Sequence, residues 1–162
     1  MSMIGNFYMT DEATAKRLMA QPQEIESLLY PDDERDSDAR LDIDKTWNII
    51  HFLLTGDVLQ GAPPHRDVIL GGEPIGDHDV GYGPARLLWA AEVKKVSDLL
   101  AGLPAPELLK NFDVEAVASA DVYPGWTGDS EDIEYITQYY EELRGFYAEA
   151  AQRSYCVIQY IS

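Results

Sequence analysis

Asp44, Trp47 and His51 stand three and four residues apart. Side chains at those spacings share a face of a helix. A helix from Asp44 to Gly56 would therefore set a carboxylate, an indole and an imidazole on one stripe. A histidine oriented by an acid has the makings of a general base. The plainer reading makes Asp44 the cap of that helix and His51 a hydrogen-bonded core residue, and it is preferred because no nucleophile accompanies the pair.

Further candidates lie in loops. Gly71-Gly72-Glu73 and Gly81-Tyr82-Gly83-Pro84-Ala85-Arg86 are rich in glycine, which tolerates close approach of another backbone. Gly81-x-Gly83 lacks the third glycine of a dinucleotide fingerprint, and a strand follows it where a helix would be needed. Arg86 has the fork that grips a carboxylate or phosphate, although in so acidic a chain an internal partner is the first expectation. Asp121, Tyr123 and Trp126 occupy an aromatic loop of the kind that rings a pocket. The candidate pocket thus comprises Asp44, Trp47, His51, Glu73, Tyr82, Arg86, Asp121 and Tyr123. No catalytic residue is assigned within it.

Other chemistries have little support. His65, Asp67, Glu73, Asp77, His78 and Asp79 share one region, yet they form no short-spaced ligand motif, so no metal is expected. No cofactor is expected either: there is no Walker sequence and no Gly-x-Ser-x-Gly elbow. The single cysteine, Cys156, sits in an apolar run and reads as a buried, inert thiol.

The formal net charge is -17 over 162 residues, with only twelve Lys and Arg. Nucleic-acid binding and adhesion to an anionic membrane both need clustered bases, and only Lys16-Arg17 and Lys94-Lys95 are adjacent. Such a field favours a basic protein partner. Residues 10–44 hold eleven acids and four bases, and residues 113–149 hold ten acids and one base. The N-terminal residues lack the basic flank and apolar run of a signal peptide, and no stretch reaches the length of a membrane span. A cytoplasmic, soluble protein is the expectation, and a homo-oligomer is compatible with it.

The elements that would position these residues are mostly helices. A strand is expected over Met3–Met9, with Thr10 capping a helix to Ala20 and a second helix from Pro22 to Leu29. Pro31–Asp38 reads as a polar loop. Asp44 to Gly56 reads as an apolar, central helix, with Trp47, Ile50 and Leu54 on one face. Residues 57–84 read as irregular, with one short strand or turn. A strand at Ala85–Trp89 precedes helices at Ala90–Gly102, Ala105–Asn111 and Val114–Ala120, the last capped by Asp113. The longest helix runs from Asp129 or Ser130 to Gln152, and Ser154–Ile161 is the last strand. Helices dominate without regular alternation, which predicts an α+β, helix-rich single domain. Its small, mostly antiparallel sheet should pair the N-terminal and C-terminal strands.

Several motifs carry a resemblance. Met3-Ile-Gly-Asn-Phe-Tyr, Leu41-Asp-Ile-Asp-Lys-x-Trp-x-x-Ile-His-Phe-Leu-Leu-Thr-Gly, Ile69-Leu-Gly-Gly-Glu-Pro-Ile-Gly, Gly81-Tyr-Gly-Pro-Ala-Arg, Asp121-Val-Tyr-Pro and Tyr139-Tyr-Glu-Glu-Leu resemble the YfbM-like family across nearly the whole chain. The resemblance implies a bacterial, cytoplasmic, single-domain α+β protein and brings no activity, cofactor or catalytic residue with it. Two functions are therefore carried forward. The first is a non-catalytic binding or interaction protein with a basic partner. The second is a small-ligand binder or enzyme with a pocket near His51, Tyr82, Arg86 and Tyr123.

Overall fold

A computed structural model describes residues 2–31 and 37–162. The expected loop Pro31–Asp38 lies largely outside the described residues. The first strand, β1 (Gly5–Thr10), and the last, β5 (Cys156–Ile161), pair antiparallel at the centre of one sheet, with Tyr8 opposite Ile158. β2 (Arg40–Asp42) extends the sheet beyond β1, while β4 (Arg86–Leu88) and β3 (Glu73–Pro74) extend it beyond β5. The order is β2-β1-β5-β4-β3, and every pairing is antiparallel.

Side chains alternate across a strand, and here both faces are covered. Phe7, Met9, Leu88 and Val157 face a large core built with α3 (Trp47–Thr55), α4 (Ala90–Ala101) and α7 (Ser130–Gln152). The short helices α5 (Ala105–Leu109) and α6 (Val114–Ser119) add Ala105, Leu108 and Val117 to it. Tyr8, Leu87, Cys156 and Ile158 face a smaller core with α1 (Glu12–Ala20) and α2 (Ile25–Leu29). This is the α+β arrangement expected, with the terminal strands at its middle.

α3 is buried over most of its girth, and Trp47 and Leu54 are both inside. Its end is fixed by Gly56, whose φ of 81° is the left-handed conformation that glycine adopts without penalty. Its start departs from expectation. Asp44 is not the cap of the α-helix; it opens a 3-10 turn, Asp44–Thr46, at a φ of 52°. The reason is local: the Asp44 N–H donates to the carboxylate of Asp42 at 2.6 Å, which bends the chain before the helix begins. Thr10 is likewise not a cap. It is the last residue of β1, and Asp11 accepts the Thr14 N–H at 2.8 Å instead. The segment from Pro22 divides into a 3-10 turn to Glu24 and the short α2.

Candidate functional site

The candidate pocket separates into distinct places. Trp47 at the start of α3 stacks on Tyr123, with ring centroids 5.9 Å apart. Both rings also tie down the N-terminal segment: the indole donates to the Met3 carbonyl and the Tyr123 hydroxyl accepts the Met3 N–H. Asn48, on the next position of α3, accepts the Tyr123 N–H at 2.8 Å. These are anchoring contacts, and they account for Trp47 and Tyr123 without chemistry. Asp121 lies exposed before them at a φ of 56°.

His51 has no exposed surface. Its Nε2–H donates to the Gln60 carbonyl at 3.0 Å, while Nδ1 has no partner among the described residues. Burial lowers its pKa, opposed by the Gln60 hydrogen bond and the charge of Asp57 and reinforced by Arg66. Burial thus favours the neutral imidazole. It straps the loop after α3 onto the helix, as Asn48 does through its bond to the Val58 carbonyl. Asp44 does not orient it, because that carboxylate accepts the hydroxyl of Tyr135.

That Asp44–Tyr135 contact marks a second arrangement. Trp126, Tyr135 and Tyr139 form a chain of rings, with centroids 6.1 and 5.0 Å apart. α7 supplies the two tyrosines, one turn apart, and Asp129 caps that helix by accepting the Asp132 N–H. Asp42 and Asp44 come from the far end of the sheet, and Glu142 follows on α7. The Tyr139 hydroxyl is held above its ordinary pKa by burial and then by the charges of Asp44, Asp42 and Glu142. All three charges are acidic. Arg144, the single base of α7, turns away to the Leu100 and Ala101 carbonyls and to Glu141. Glu131, Glu134, Gln138 and Glu142 are left exposed along the outer stripe of the helix.

Tyr82 and Arg86 share a third place, a depression of about 70 Å³ beside Gln159 and Tyr160. Glu73 stands apart from it, accepting the Trp89 indole N–H at 2.8 Å. The residues weighed for a metal are dispersed: His78 bonds Glu26, Asp79 caps the turn at Gly81 and Gly83, and Asp67 pairs with Arg66. Among the described residues no three His, Cys, Asp or Glu come together to hold an ion.

Sequence reasoning missed the buried hydrogen-bond hub at Gln159. Its side chain accepts the Gly71 N–H and donates to the carbonyls of Asp67 and Val68 and to the Tyr147 hydroxyl. A glutamine inside Cys156-Val-Ile-Gln-Tyr-Ile was the available signal, since an amide in an apolar strand needs partners.

An antiparallel sheet with its terminal strands central, covered on both faces and bearing an acidic aromatic face, defines a class without defining a reaction. The chain belongs to the family described as a domain of unknown function (DUF1877), whose model matches residues 1–160. It is 32% identical over 145 residues to Protein YfbM of Escherichia coli (strain K12), covering 83% of this chain and 80% of that protein. It is also similar to the crystal structure of YfbM, a protein of unknown function from Escherichia coli. That likeness has a TM-score of 0.73 and 26% identity, and it covers 98% of this chain and 99% of the other.

Proposed function

We propose that this is a non-catalytic interaction protein whose face at Asp42, Asp44, Tyr135, Tyr139 and Glu142 receives a basic segment of a protein partner. One observation carries the reading: the Asp44 carboxylate accepts the hydroxyl of Tyr135, whose ring meets that of the half-buried Tyr139 edge to face, and Glu142 stands exposed on the same helix. An arginine or lysine seated there gains ion pairs at the rim and a cation–π contact with the ring. Tyrosines at the centre of a patch are the usual anchors of protein interfaces. The cytoplasm is the setting this reading assumes. Among the described residues no helix is long and apolar enough to cross a membrane, and the one cysteine leaves no disulfide to form within the chain.

The test is capture from lysate at low and at physiological salt, with the wild type beside a variant carrying Asp42→Asn, Tyr139→Ala and Glu142→Gln. The expected result is a partner that the wild type holds more tightly at low salt and that the variant loses. Absence of any salt-sensitive partner, or equal capture by the variant, would refute the reading.

A further inference from the structure

Among the described residues, Arg86 has more donors than its one hydrogen-bond partner answers. Four other arginines meet a carboxylate: Arg17 with Glu24, Arg66 with Asp67, Arg144 with Glu141 and Arg153 with Glu149. Arg40 is satisfied by the carbonyls of Leu28 and Leu29 and by the ring of Tyr8. The half-buried Arg86 makes one bond, from Nη1 to the Gly72 carbonyl at 3.1 Å, and among the described residues no carboxylate lies within ion-pair distance. A guanidinium carries five N–H donors, so most of its fork is free. In a chain with 29 acids and twelve bases, chance alone favours pairing, which makes this arginine distinctive.

Its position is fixed. Arg86 lies opposite Gln159 in the β4–β5 ladder, and the Gln159 amide is fully committed to its own partners. The neighbouring depression, about 70 Å³, is lined by Tyr82, Pro84, Arg86, Gln159 and Tyr160. At roughly 30 Å³ of liquid volume per water, that space takes a group of about two or three heavy atoms. Tyr82 is held at the mouth, 45% exposed, by a turn pinned at both ends: Asp79 accepts the Gly81 and Gly83 N–H groups, and the Tyr82 N–H donates to the Ile161 carbonyl.

We propose that Arg86 and Tyr82 form a binding site for a single carboxylate group. The planar fork of arginine matches a carboxylate in two parallel bonds. The acidic field of the whole chain opposes a dianion about twice as strongly as a monoanion, so a carboxylate fits better than a phosphate. The group belongs either to a small organic acid or to the free end of a peptide.

The test is amide NMR during titration with sodium acetate, against sodium chloride at matched ionic strength, reading the Gly72 and Tyr82 N–H signals. Acetate should shift both in a saturable way that chloride does not reproduce. The response should be abolished in Arg86→Gln and weakened several-fold in Tyr82→Ala, an exposed position whose loss leaves the fold intact. An acetylated peptide with a free C-terminal carboxylate that binds more tightly than acetate, while its amidated form does not bind, assigns the peptide end; equal binding assigns the small acid. Linear shifts with acetate, unchanged affinity in both variants, or tighter binding of inorganic phosphate would overturn the assignment.

Discussion

At the scale of single residues, His51 shows how burial decides what an ionisable group does. An imidazole with one ring nitrogen given to the Gln60 carbonyl and the other sealed from water can take a second proton only at a cost. The unfolded chain binds that proton near pH 6.5, as unperturbed histidines do. The folded chain binds it only at lower pH. In the interval the unfolded state holds more protons, so stability should be complete above about pH 6.5 and fall as the solution is acidified. His78 acts in the opposite sense, since its hydrogen bond with Glu26 raises its pKa, but that pair is exposed and contributes little. Urea denaturation between pH 7 and pH 5 should thus show a pH slope that His51→Gln reduces, the amide still reaching the Gln60 carbonyl. An unchanged slope would mean that the imidazole is not the group responsible. The sequence placed His51 correctly on an apolar helix. It could not show that the acid three residues before Trp47 would turn to Tyr135 instead, because that contact spans 91 positions.

At the scale of elements, the loop between α3 and β3 is held by β5. Gln159 gathers the Gly71 N–H and the carbonyls of Asp67 and Val68, and Tyr147 of α7 donates to the same Val68 carbonyl. Gly71 permits this closeness, since a Cβ there would lie 2.2 Å from Asp67 Oδ1. Replacing Gln159 by Leu leaves buried backbone groups without partners, at a cost of about 2–4 kcal/mol, or on the order of 10 °C in Tm. Thermal unfolding followed by circular dichroism measures this directly, and a loss below about 1 kcal/mol would show that the hub is not structural. The helices were legible from periodicity and caps: Asp113 and Asp129 cap the short α6 and the long α7 as their spacing suggests. β2 was not, and β3 only as an unplaced short strand or turn within residues 57–84, for strands of three and two residues carry no period of their own. They exist because β1 and β4 offer edges to pair with.

At the scale of the whole molecule, charge is the property that sequence conveys and topology gives a place. Asp42 and Asp44 end up beside α7 because β2 lies on the outer edge of β1, carrying one acidic stretch of the chain onto the other. Composition implied a basic partner; only the fold brings these acids around two tyrosines. The candidate pocket was less legible, since its members belong to different places: Trp47 with Tyr123, His51 within the core, and Tyr82 with Arg86. The most direct test of the interaction face is photo-crosslinking in living cells from a benzoyl-phenylalanine placed at Tyr139, with the same group at exposed Lys94 on α4 as control. A discrete adduct from position 139, weakened by Asp42→Asn with Glu142→Gln and absent from position 94, is the predicted result. No adduct from position 139, or the same adducts from both positions, would contradict the account.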